Sequence, residues 1–181
     1  MKMNTQLMGA AIALALATSS AQANLVVNGG FETGDFTGWT QVENTGFAGV
    51  NDAFVHSGTR GAYFGPASLG GIQQDLATTA GATYSFDFWL ENTDLGQYQV
   101  YWNGNEVVGE VNPGDFSYRH QKYTVTASGT STSIEFLFKN DNNYFGLDDV
   151  SVTAVPESST WLAGAGASLA MLGSFVRRNR K

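Results

Sequence analysis

Cysteine is absent from the 181-residue chain, which excludes a disulfide framework and any thiolate metal site. Histidine is nearly as scarce. His56 and His120 are the two present; neither lies in a motif that would supply a nucleophilic triad or a zinc site, and both read as solvated loop residues. Positive charge is thin as well: nine Lys and Arg stand against sixteen Asp and Glu, a net charge of −7. Five of the nine sit at the ends, as Lys2, Arg177, Arg178, Arg180 and Lys181, so residues 24–155 carry Arg60, Arg119, Lys122 and Lys139 against fifteen acids. A body so acidic repels phosphate backbones, which argues against nucleic-acid binding. Its acidity suits solubility or divalent-cation binding. Sustained helical periodicity, internal repeats and a strand–loop–helix setting for a phosphate cradle are also missing.

What remains is strand-like. The length suits one domain with signals at each end, and 22 glycines with many Thr, Val, Tyr and Phe indicate an all-β fold rich in turns. From Thr83 to Glu91 the alternation puts Tyr84, Phe86, Phe88 and Leu90 on one face and Ser85, Asp87, Trp89 and Glu91 on the other. Gln97–Trp102 alternates in the same way, and Asn103-Gly104 then predicts a hairpin into Glu106-Val107-Val108. Tyr123–Thr126 and Ser133–Phe138 alternate too. Strands this short and frequent predict a two-sheet antiparallel sandwich.

The two ends read as addresses. Residues 1–23 run from Lys2 through an apolar stretch, Leu7 to Ala17, to Ala21-Gln22-Ala23, the three-part grammar of a secretory signal peptide, with Asn24 as the mature start. At the other end, Trp161 to Val176 is uncharged and mostly apolar, and a basic tail (177–181) follows it. That order predicts a transmembrane helix with the domain outside and the tail inside.

Val155-Pro156-Glu157-Ser158-Ser159-Thr160, the apolar run and the arginine-rich end together resemble the PEP-CTERM sorting signal, with Ser158 in place of the second proline. The resemblance implies processing by an exosortase-type membrane protease-transpeptidase. It also implies retention in the inner membrane of a Gram-negative-type bacterium, followed by delivery to the cell surface or the extracellular polysaccharide matrix.

Between the ends, residues 24–154 carry a second resemblance. Asn28-Gly29-Gly30-Phe31-Glu32, Gly38-Trp39, Ser57-Gly58-Thr59-Arg60 and Leu147-Asp148-Asp149-Val150 are similar to the galactose-binding-like jelly rolls, in particular carbohydrate-binding modules of families 4, 9 and 22. This implies a structural calcium that ties the first and last strands together. Its ligands would be the main-chain oxygens of Gly30 and Arg60, the Glu32 carboxylate and the Asp148 side chain. Asp148 shares parity with Val150 and Val152 and is expected to point inward with them; a carboxylate there needs a cation or backbone N–H groups to compensate it, unless it lies at the rim. Ser57 stands where some relatives place an acidic ligand.

For a glycan, the outward set Trp89, flanked by Asp87 and Glu91, and Tyr101, flanked by Gln99, offers flat rings with hydrogen-bonding neighbours. An exposed mid-strand Trp needs such a reason, unless a loop such as Gly46–Gly49 covers it or the parity is reversed. Asp87, Glu91 and Glu135 could share one face, as a glycosidase pair would, but no feature marks a raised pKa on any of them. Two functions follow: a non-enzymatic surface or matrix protein that binds extracellular polysaccharide, or a structural or adhesive one with the same fold and no sugar pocket.

Overall fold

The computed structural model describes residues 22–43 and 46–156. Residues 1–21 and 157–181 fall outside it, and with them most of the signal peptide, Glu157 of the sorting motif, the expected membrane helix and the basic tail. Among the described residues every regular element is a strand: β1 (Thr40–Glu43), β2 (Ala48–Asn51), β3 (Gly61–Phe64), β4 (Gly70–Ala77), β5 (Thr83–Asn92), β6 (Gln97–Trp102), β7 (Asn105–Val111), β8 (Phe116–Thr126), β9 (Ser131–Lys139) and β10 (Phe145–Ala154). They form two antiparallel five-stranded sheets, the first in the order β1-β4-β9-β6-β7 and the second in the order β2-β3-β10-β5-β8. This is the jelly-roll sandwich that the alternation and the opening and closing motifs predict.

The core lies between the sheets. Tyr84, Phe86, Phe88 and Leu90 of β5 are buried as expected and meet the inward side chains of the first sheet. Phe136 packs edge-on against Phe86 and Phe88, at centroid distances of 5.8 and 5.1 Å, and Phe138 stacks on Phe64 at 4.5 Å. Trp39 and Trp102 are core residues too, and the Trp102 indole N–H donates to the Thr126 carbonyl at 2.9 Å. Each such ring contributes roughly 1.5–3 kcal/mol of burial. The predicted hairpin joins β6 to β7: Asn103 and Gly104 both have positive φ, 49° and 75°, as a two-residue type I′ turn requires.

Two features depart from simple alternation. The opening segment, residues 24–39, is a series of turns rather than a strand. It is nevertheless tied to β10 by Leu25 N–H to Val152 O and Val150 N–H to Gly29 O, both 2.9 Å, and to β4 by the buried Gln74 amide, which bonds both the N–H and the C=O of Val27. The second departure is a bulge in β10 between Asp148 and Ser151, with Asp149 at φ 51°. An inserted residue flips the faces that follow it. Asp148 pairs with outward-facing Trp89, whereas Val150 and Val152 point into the core. The expectation that Asp148 points inward with them is therefore corrected: it lies on the outer side of the second sheet.

Candidate functional site

Asp148 is fully buried although it lies on an outer face, because the loop before β3 folds over it. One carboxylate oxygen accepts the N–H groups of His56 and Ser57, at 2.8 and 3.0 Å, and the other accepts the N–H of Asp149 at 2.8 Å. Burial raises its pKa, while those backbone donors and the neighbouring Asp149 act in opposite senses on it. Glu32 holds the other end of the loop, accepting from the N–H and hydroxyl of Thr59 and from the N–H of Arg60 at 2.7 to 3.1 Å. These bonds lower its pKa. Gly58 is required here. Its φ is 73°, and a Cβ would sit 2.2 Å from a Glu32 carboxylate oxygen.

Two of the expected calcium donors, Asp148 and Glu32, thus act as a latch that joins the 56–60 loop to β10 and to the opening turn. A Cβ on Gly30 would lie 3.7 and 3.8 Å from oxygens of Asp149 and Asp148. Carboxylate oxygens are the donors that calcium takes, but both oxygens of Asp148 and both of Glu32 already accept hydrogen bonds from the loop or from Asp149. Among the described residues no three His, Cys, Asp or Glu side chains are grouped to hold a metal, so an ion here would depend on main-chain oxygens.

The second-sheet half of the expected sugar patch is already occupied. His56, carried over by the latched loop, stacks on Trp89 at a centroid distance of 3.7 Å and an interplanar angle of 15°, and His120 stacks beside it at 5.0 Å and 18°. The covering loop is therefore the one that bears His56, not Gly46–Gly49. His120 lies within β8 rather than in a loop. Each ring is fixed by a carboxylate: His56 Nδ1 lies 2.6 Å from Asp149, and His120 Nε2 lies 3.0 Å from Asp87. Asp87 is also engaged by Lys122 at 3.2 Å and by the Ser85 hydroxyl at 2.5 Å. Glu91 and the Tyr118 hydroxyl both lie over Gly146, and burial raises the Glu91 pKa.

Gln99 and Tyr101 are elsewhere. They belong to β6 in the first sheet, whose outer face points away from the second. The structure therefore does not bring them together with Asp87, Trp89 and Glu91. Glu135 accompanies them on β9, which separates it from Asp87 and Glu91 and leaves no shared face for a glycosidase pair.

What surrounds Gln99 and Tyr101 is a continuous polar surface. Register places Thr40, Gln73, Glu135, Tyr101 and Glu106 in one row across all five strands of the first sheet. In the adjoining row, Leu137 and Gln99 lie between Gly71 and Gly109, which carry no side chains. Gln99 donates to Glu106 at 3.2 Å. Burial and the flanking Glu106 and Glu135 raise the Tyr101 pKa. Beyond Gln97 and Lys139 the surface runs into a depression of about 280 Å³ edged by Leu95, Val111 and Asn112. Gln73, Glu106 and Leu137 were missed as partners of Tyr101. Their alternation is readable, but their shared sheet is not.

No protein-family model matches the chain, and no curated protein does. Solved structures do match. A family 61 carbohydrate-binding module in complex with β-1,4-galactotriose shares 20% identity at a TM-score of 0.63, covering 74% of this chain and 99% of the module. The CBM22-1 xylan-binding domain of Paenibacillus barcinonensis Xyn10C shares 14% at 0.53, covering 78% and 100%. The K1 cleaved adhesin domain of Lys-gingipain from Porphyromonas gingivalis W83 shares 17% at 0.53, covering 70% and 96%. At these identities the likeness is one of fold: the jelly-roll sandwich of carbohydrate-binding modules.

Proposed function

We propose that this chain is an exported, non-catalytic protein that binds polysaccharide on the outer face of its first sheet. The observation that carries the reading is the row Gln73–Glu135–Tyr101–Glu106 beside Leu137 and Gln99: an aromatic ring and one leucine among amides and carboxylates, on a broad strand-built surface. Rings and apolar patches take the flat faces of sugars, and amides and carboxylates read their hydroxyls. Galactotriose- and xylan-binding modules of the same fold support it. In this reading residues 1–23 direct export. Val155 and Pro156, exposed at the end of β10, and Glu157 begin the signal that an exosortase-type enzyme processes, and the chain passes from the membrane to the cell surface or matrix.

A structural calcium held by Gly30, Glu32, Arg60 and Asp148 is part of the proposal, supported by the Asp148 and Asp149 oxygens that lie beside Gly30. The adhesin neighbour favours the second reading, an adhesive surface protein without a sugar pocket. A panel of insoluble polysaccharides separates the two. Saturable retention that is lost in Tyr101→Ala and kept in Trp89→Ala supports glycan binding; a folded protein retained on no polymer supports adhesion through protein contacts.

A further inference from the structure

The outer face of the first sheet carries an excess of negative charge. Asp75 is exposed on β4, Glu135 faces outward on β9 and Glu106 on β7, and Glu43 adds its field to Glu135. The basic residues of the domain are placed elsewhere. Lys122 pairs with Asp87 on the opposite face, Arg119 lies over the Phe116 ring at 4.0 Å, and Arg60 belongs to the latch. Lys139, at the end of the face, is neutralised by Asp141 at 3.4 Å. Glu135 is half-buried, and among the described residues no hydrogen bond or ion pair compensates it. Burial and Glu43 together raise its pKa. Glu135 and Glu106 flank Tyr101 two strands apart, roughly 10 Å at ordinary strand spacing.

A sugar laid on Tyr101 would strip the remaining water from these carboxylates. Hydroxyls would offset a small part of that cost, an ammonium group would offset more through a charge-assisted hydrogen bond, and a second carboxylate would add repulsion. We propose that the face takes an amine-bearing polysaccharide, an amino-sugar chain left partly unacetylated, and rejects polyuronates. This rests on the glycan-binding reading and names the ligand class of the same surface.

The test is retention of the purified full chain on one glucosamine polymer prepared at stepwise degrees of N-acetylation, with a polyuronate and a neutral xylan alongside. Binding is expected to rise as acetyl groups are removed, to weaken with added salt and to be absent on the polyuronate. Glu135→Gln with Glu106→Gln should weaken it by about tenfold or more, the scale of one lost charge-assisted hydrogen bond. The charge-matched control Asp52→Asn with Asp115→Asn should leave it unchanged. Equal binding at every degree of acetylation, binding to the polyuronate, or an equal loss in the control overturns the charge selectivity while leaving glycan binding in place. Retention on none of the polymers removes both.

Discussion

Replacing Asp148 with alanine tests the latch most severely. The side chain is fully buried and accepts three backbone N–H groups. Each donor stranded by the change costs about 1–3 kcal/mol. Relief of burying a carboxylate beside Asp149 offsets part of that, because burial and that neighbour both disfavour its charged form. A net loss of roughly 3 kcal/mol or more remains, in line with removing one partner of a buried charged network. For a domain of this size that is on the order of 10 °C in Tm. Thermal and urea melts of the full chain measure it. A local signal should accompany the loss: the His56 and Ser57 amides lose hydrogen-exchange protection, and freeing the loop loosens the His56–Trp89 stack, which shifts the Trp emission to the red. A loss below about 1 kcal/mol, with both amides still protected, would refute the claim that Asp148 holds the loop.

Chelation gives a second test of the same region: EDTA should lower the Tm and Asp148→Ala should abolish the calcium response, whereas an unchanged melt removes the ion and leaves the latch to its hydrogen bonds alone. The pH dependence of stability should show two opposite signs. Glu32 has a lowered folded-state pKa, so its contribution is present above the ordinary Glu range and is lost as pH falls; Glu32→Gln should flatten the acid side of the stability curve. Glu135 has a raised pKa, so its contribution is fullest below the ordinary range and is lost as pH rises through the folded value. Glu135→Gln should therefore gain stability relative to the parent between acid and neutral pH, and a difference that stays flat over that window would contradict the burial argument.

Much of the fold was legible because inward and outward residues alternate cleanly on the central strands. Tyr84, Phe86, Phe88 and Leu90 are buried as their spacing predicts, and β6 spans the alternating run Gln97–Trp102. The Asn103-Gly104 turn followed from local chemistry alone. β8 was harder to read: as an edge strand it is half-exposed along most of its length, and so His120 looked like a loop residue. The bulge at Asp149 defeated the parity argument for Asp148, since one inserted residue reverses every face beyond it. The sugar patch divided for a different reason. Local alternation tells which residues share a face of one strand, but long-range pairing decides which strands share a sheet. β5 pairs with β8 and β10, and β6 pairs with β7 and β9, so Asp87, Trp89 and Glu91 lie on one outer face and Gln99 and Tyr101 on the other. The stacking of His56 on Trp89 carries no local signal, because the contact joins positions on separate elements.

Amide chemical-shift mapping during titration with a bound oligosaccharide tests the central claim most directly. The account predicts perturbations centred on Gln73, Gln99, Tyr101, Glu135 and Leu137, with His56, Trp89 and His120 unmoved. Shifts centred on His56, Trp89 and His120 instead would contradict it.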